Sequence, residues 1–440
     1  MLLRDHRLPG HALSGLASGG GGADAVRHLA APQRSKHLLL VLGTARLAAE
    51  TGHPHARATE HAYDVLAEIQ KKNPATVRGT LAHPAVGAWA ARAVRALEGG
   101  DCPGERPAGH CDPARLGAVA AAAAIKAGLA CEVQVPVTGG TIMLPSLGLL
   151  ELQGGPDGLT DLLVRADGRV EAGDLCLRPG AGEQRGWRPL RWLETADAGL
   201  RLLIDDLDFF RWRAAGAAER LGEAELRVWR AGLEAAWATL RAHHWTIAGE
   251  TRALVSVLTP IKGPAQGMHS ASAGDLFGTI AMSTPPDGRW LAATFAHEIQ
   301  HGKLNAILDV VRLLEPDRTS TYYAPWRPDP RPLSGLLQGA YAYLGVSGFW
   351  RRQRAHEADL RPHIEFAHWR EAARTVTGTL LDSGRLTAAG ERFVAAMRRT
   401  LTAWSREPVP PAALEIARQE ADAHRTTWLA VNGDDPGHRL

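Results

Sequence analysis

At 440 residues, with 45% hydrophobic content and a formal net charge of +3, the chain can bury large cores in two or three domains. Its Lys and Arg residues are dispersed, so neither a nucleic-acid face nor a polybasic membrane segment is expected. The start, MLLRDHRLPGHALSG, lacks the apolar core of a signal peptide and no apolar run reaches the length of a membrane span, which makes a soluble cytoplasmic protein the expectation. Four cysteines, Cys102, Cys111, Cys131 and Cys176, form no CxxC or CxxxCxxC, so no disulfide framework, zinc ribbon or iron–sulfur motif is expected.

Residues 1–112 read as a helical N-terminal region. After a flexible Ser18-Gly19-Gly20-Gly21-Gly22, apolar residues recur at helical spacing over Ala23–Glu50, Arg57–Lys71 and Pro74–Leu97. Residues 99–113 are a linker by composition, although Cys102, His110 and Cys111 leave a second metal site as an alternative. Residues 113–210 open with an Ala-rich helix and then read as a β-rich module, with hairpins around Thr138-Gly139-Gly140 and Ala166-Asp167-Gly168. Residues 211–440 form the expected catalytic region: a helix over Leu221–His244, strands over Thr251–Ile261 and Asp275–Met282, then a helix over Trp290–Leu314. Three further helices follow, over Leu333–Gln353, Glu357–Leu381 and Leu386–Trp404, and the end from about Asp434 is expected to fray. The fold class is therefore α+β and mainly helical, with a zincin-like order of strand and HExxH helix.

The chemistry concentrates in His297-Glu298-Ile299-Gln300-His301. Histidines four apart on a helix lie one turn above the other on one face, so both imidazoles can reach one metal ion. Leu291, Phe295, Ile299 and Ile307 supply the helical period, and Asp287, after Pro285-Pro286, is the expected N-cap. His297 and His301 share a stripe with Thr294, Leu304, Asn305 and Leu308, whereas a solvated face would be richer in charge.

Two histidines do not complete a site. Catalytic zinc takes a third protein ligand, and non-haem iron takes a facial set with open positions. Glu298 points about 100° from His297 around the helix and suits a general base better than a ligand. Leu333–Trp350, where a peptidase would place a third-ligand Glu, has no carboxylate, and HExxHxxGxxH is absent because Leu304 and Ile307 stand at its Gly and third His. Gln338 and His269 are the candidates for the third ligand, with His356, His363 and His368 behind them. Past the helix, YYAPWRPDPRP is aromatic and arginine-containing and reads as a substrate or cofactor wall, or as a loop pinned by its aromatic residues.

Several segments together, SKHLLLVLG, HPAVGAWAARAVRAL, SASAGDLFGTIAMS, FAHEIQHGKLNAILD, YYAPWRPDPRPLSGLLQGAYAYLGVSGFW and FAHWREAARTVTGTLLDSGRLTAAGERF, are similar to the HExxH-domain peptide-modification proteins of ribosomal natural-product biosynthesis. That resemblance runs over nearly the whole chain. It implies an iron(II)- and 2-oxoglutarate-dependent dioxygenase that β-hydroxylates a residue of a precursor peptide with leader and core, in some clusters beside a radical-SAM maturase. It places iron on His297 and His301, keeps Glu298 and Lys303 near the site, and makes Arg327 and Arg331, with Tyr323 of the same loop, the candidates for the 2-oxoglutarate side. An Arg fork suits a carboxylate bidentately. At position 343 relatives often carry His where this chain has Tyr343. Two other readings stand beside the hydroxylase: a zinc(II) peptidase with Glu298 as base, and a module that binds precursor peptide without chemistry.

Overall fold

A computed structural model describes residues 6–440 apart from 101–110, 155–156, 181, 213–215, 265–267, 318–319, 434–437 and 440. The stretch read as helical contains α1 (Gly10–Ala17), α2 (Gly22–Glu50), α3 (Ala56–Lys72), α4 (Pro74–Leu81) and α5 (Pro84–Leu97). Most of the expected 99–113 linker, including Cys102 and His110, and most of the expected frayed end lie outside the described residues. Cys111 is disulfide-bonded, although the cysteine spacing implied no disulfide framework; Cys131 and Cys176 are free.

Helix α6 (Leu116–Ala127) leads into β1 (Cys131–Val137), β2 (Thr141–Leu144), β3 (Gly148–Glu151), β4 (Gly158–Val164), β5 (Val170–Ala172), β6 (Leu175–Leu177), β7 (Trp187–Pro189), β8 (Arg191–Glu194) and β9 (Arg201–Ile204). The hairpin expected at Ala166-Asp167-Gly168 joins β4 to β5. The turn at Thr138–Thr141 forms, but its two arms diverge: β1 pairs antiparallel with β4 and β2 with β3, in separate sheets. Next come α7 (Glu223–His243), α8 (Trp245–Leu254), β10 (Val257–Pro260), β11 (Ser270–Ala271) and β12 (Thr279–Met282). Thr251–Leu254, expected as strand, closes α8 instead; Thr251 Oγ1 donates back to the Ile247 carbonyl, and the Glu250 carboxylate is tied to Lys303 and Gly22. The chain finishes with α9 (Gly288–Leu308), β13 (Thr321–Tyr322), β14 (Arg331–Pro332), α10 (Leu333–Gln353), α11 (Arg361–Asp382), α12 (Ala388–Trp404) and α13 (Pro411–Asn432). Among the described residues no helix is long and apolar enough to cross a membrane.

Two compact units cut across the three stretches expected from the sequence: residues 1–32, 231–254 and 285–440 form one, and 33–230 with 255–284 form the other, two of the four divisions falling inside α2 and α7. In the second unit, Val119, Ala120 and Ala123 of α6 share one core with Val133 and Val135 of β1 and Leu162 of β4. A five-stranded sheet, β11-β12-β10-β9-β8, lies in the same unit with β9, β10 and β12 parallel. The strand ahead of the HExxH helix, β12, is an inner strand of that sheet, with β11 paired outside it.

The first unit is helical. Helix α9 packs on α10, and α10 on α11. The approach of α9 to α10 is close enough that a Cβ on Gly345 would lie 2.6 Å from the Ala296 carbonyl and 2.5 Å from Gln300, so only glycine fits at that crossing. The glycine stretch before α2, expected to be flexible, is docked instead. The Gly19 carbonyl accepts from Gln300 Nε2 at 2.7 Å and the Gly20 carbonyl from Lys303 Nζ at 3.1 Å.

Candidate metal centre

Helix α9 begins where the sequence indicates. The Asp287 carboxylate caps it by accepting the Trp290 N–H at 2.8 Å. It ends at Leu308, short of the expected Leu314. The following segment is drawn into strand-like pairing: Leu314 bridges Leu386, and the Glu315 N–H donates to the Arg385 carbonyl.

Most of α9 is buried, and beyond Arg289 in its first turn the side chains left partly open are Trp290, Thr294, His297, His301, Asn305 and Leu308. Their spacing of three or four residues marks a single face. Leu304, expected in this stripe, is buried. The sequence pattern thus places both histidines on the one face of a core helix that a ligand can reach.

On that face, Nε2 of His297 and Nε2 of His301 are 3.1 Å apart, with the rings edge to face at 4.8 Å between centroids. The protonation of His301 follows from its other nitrogen, whose N–H donates to Gln338 Oε1 at 2.9 Å. Gln338 is held in turn, because its Nε2 donates to Asn305 Oδ1 at 2.7 Å. In the tautomer with its proton on Nδ1, His301 presents a bare lone pair at Nε2. Two lone pairs at that separation repel, so either a proton or a cation must lie between them. For a metal with bonds of about 2.0–2.1 Å, this separation corresponds to an N–metal–N angle of about 98°, between octahedral and tetrahedral values. Burial pushes the His297 pKa down to about 4, with His301 acting in the same direction and Glu298 against it. The ring is therefore neutral at pH 7, the form that binds metal.

Gln338, one of the two third-ligand candidates, meets His301 on its Nδ1 side and not at Nε2. Its oxygen is committed to the Nδ1–H of His301, which is the place of an outer residue that fixes a ligand's orientation. His269, the other candidate, belongs to the second unit, where its N–H donates to Ser283 Oγ at 3.0 Å. His356 stacks on His243 at 3.6 Å, and His368 packs edge-on against Trp369. Among the described residues, no His, Cys, Asp or Glu donor joins His297 and His301 in a cluster of three. Glu298 is buried with one carboxylate oxygen 3.9 Å from His297 Nε2, nearer than its position around the helix suggests.

An aromatic layer closes one side. The Tyr343 ring lies edge-on to His297 at 5.1 Å and is sandwiched between Trp326 at 5.0 Å and Trp369 at 4.1 Å. Trp326 fits because residue 339 is glycine; a Cβ there would lie 2.3 Å from the indole. Burial, then the nearby Glu365 and Glu298 carboxylates, raise the Tyr343 pKa and keep its hydroxyl protonated. Trp369 Nε1 donates to Glu365 at 2.5 Å.

The other expected site residues fall elsewhere. Lys303 turns to the opposite side of α9, fully buried, where its Nζ is 3.0 Å from Glu250 Oε2. It is a structural ion pair and is not near the histidine face, since two residues along a helix is about 200° of rotation. Burial lowers its pKa and Glu250 opposes that shift. Tyr323 is pinned to α13, its hydroxyl 2.9 Å from His424 Nδ1 and its ring edge-on to Trp428. Arg327 and Arg331 share one carboxylate, Asp329, at 2.9 and 3.1 Å. Each guanidinium spends only one nitrogen on that contact, so Asp329 offsets part of their charge without occupying all their donors. Arg327 is also near enough to the Tyr343 hydroxyl to oppose its rise in pKa.

No protein-family model matches the chain, and neither does any curated protein.

Proposed function

We propose that this chain is an iron(II)- and 2-oxoglutarate-dependent dioxygenase that β-hydroxylates a residue of a ribosomally made precursor peptide. The observation that carries the reading is the pair of Nε2 atoms facing each other at 3.1 Å, with no third His, Cys, Asp or Glu donor clustered beside them among the described residues. Two histidines are one donor short of the two-His, one-carboxylate set usual for non-haem iron, and they leave open the positions that a chelating acid and dioxygen need. The resemblance to HExxH peptide-modification proteins supports the same choice of cosubstrate.

His297 and His301 would hold the metal, and iron(II) with 2-oxoglutarate supplies the oxygen activation. Gln338 and Asn305 fix the His301 ring by its Nδ1, which would leave the Nε2 lone pair for a bound ion. Tyr343 and its flanking tryptophans present an apolar wall that excludes water on the His297 side. Arg327 and Arg331, beside Asp329, would supply positive charge for the far carboxylate of the acid. Glu298 offers a buried acceptor for a proton donor brought to the site.

That same carboxylate favours a second reading, a zinc peptidase in which Glu298 deprotonates attacking water. The likeness to zincins in the order of strand and helix belongs to this alternative. The deciding experiment is intact-mass analysis of a precursor peptide incubated with protein, iron(II) and 2-oxoglutarate in air. A gain of one oxygen that requires 2-oxoglutarate supports the hydroxylase. Cleavage fragments that form with zinc alone and vanish in Glu298→Gln support the peptidase and sink the oxygenase.

A further inference from the structure

The second unit carries a separate group of metal-type donors. The connector between α2 and α3 runs Thr51-Gly52-His53-Pro54-His55, and both of its histidines turn toward Asp112. His55 Nδ1 is 2.7 Å from Asp112 Oδ2. Nδ1 of His53 accepts the His55 backbone N–H at 3.1 Å, and the two rings meet edge to face at 5.4 Å. One donor atom from each residue lies within 4.8 Å of the other two. Ligand nitrogens on one zinc ion sit roughly 3.3 Å apart, so closing the cluster takes only side-chain rotation.

Asp112 is held in place from both ends. Its Oδ1 accepts the Ala114 N–H at 2.9 Å, and its backbone carbonyl accepts Trp89 Nε1–H at 3.2 Å. Its one ion-pair partner among the described residues is His55, so no described Lys or Arg neutralises it. The contrast is with the other His–carboxylate group of the same unit, His83 with Asp205 and Asp208. There Arg115 grips Asp208 through two bonds at 2.7 and 2.9 Å, and the Asp205 carboxylate accepts the Asp208 N–H at 2.9 Å. That buried group already contains its cation and would repel another. The His53 group is partly open to solvent, with His55 31% exposed, so an ion can enter.

We infer that His53, His55 and Asp112 form a second divalent-metal site, of two imidazoles and one carboxylate with a position left for water, suited to a borderline ion such as zinc. Bound there, the ion would tie the α2–α3 connector to the turn that opens α6, across 57 residues of chain, and stabilise the unit by restricting its unfolded state.

The test uses the full chain stripped of metal and titrated with zinc(II), with stoichiometry read by calorimetry and native mass spectrometry. The wild type is expected to take two ions and His53→Ala/His55→Ala one. His297→Ala/His301→Ala is expected to keep one ion, which is lost when all four substitutions are combined. Asp112→Asn is expected to weaken that remaining ion by about 10- to 100-fold, and zinc should raise the melting temperature only where His53 and His55 are present. An unchanged stoichiometry in His53→Ala/His55→Ala, with the fold intact by circular dichroism, overturns the assignment. If the first centre binds nothing, the wild type takes one ion that depends on His53 and His55, so failure of the two sites is told apart.

Discussion

Gln338 touches no proposed metal position, yet the geometry makes it decisive for affinity. Its Oε1 accepts the Nδ1–H of His301 at 2.9 Å while its amide is fixed by Asn305 at 2.7 Å. Gln338→Leu keeps the bulk and removes both bonds. His301 is then free to carry its proton on Nε2, the atom that must be bare, and its ring loses its anchor. Losing an outer partner of this kind costs about 10- to 100-fold in metal affinity, or about 1.4–2.7 kcal/mol. Gln338→Glu keeps an acceptor for Nδ1–H, and the Asn305 amide can turn to donate to it, so its affinity is expected within a few-fold of wild type. Cobalt(II) or zinc(II) titration of the metal-free variants on a His53→Ala/His55→Ala background isolates this centre. A Gln338→Leu affinity within twofold of the parent, or a Gln338→Glu loss as large as that of Gln338→Leu, would refute the orienting role.

Three further outcomes follow from the same packing. Lys303→Met leaves Glu250 charged and unpaired in the core and should cost about 3–5 kcal/mol in urea unfolding; Lys303→Met/Glu250→Gln should recover most of it. Gly339→Ala places a Cβ against the Trp326 indole at 2.3 Å, so it should displace Trp326 from Tyr343, cost about 1–3 kcal/mol and change the tryptophan emission. Burial pushes His244 down to about 4, against about 6.5 when unfolded. The unfolded chain therefore binds that proton first, and stability present above pH 6.5 is lost as pH falls toward 4, by up to about 3 kcal/mol. His244→Gln should flatten that limb of the pH–stability curve; an unchanged slope would show that His244 is not the group responsible.

Much of the first unit is legible because its signals are local. Asp287 caps α9, the histidines fall on its open face, and α10 spans Leu333–Gln353 as its apolar period indicates. What the sequence hides is long-range. Trp369 comes 26 residues after Tyr343, and no spacing rule joins them. Glu250 lies 53 residues before Lys303, so a lysine beside HExxH reads as a site residue when its charge is spent in the core. Gln338 was legible as an inward polar residue, but its place behind His301, with no claim on the metal, depends on Asn305 and on the crossing permitted by Gly345. The diverging arms of β1 and β2 show the same limit, since a turn motif fixes the reversal and not the strand partners.

The most direct test of the proposed centre is anomalous diffraction at the iron edge from crystals grown anaerobically with iron(II). The account predicts a peak bonded to Nε2 of both His297 and His301 at about 2.1 Å, with Gln338 still on Nδ1 of His301 and no third protein ligand. A peak bonded also to Glu298 or to Gln338, or no peak between the two histidines, would contradict it.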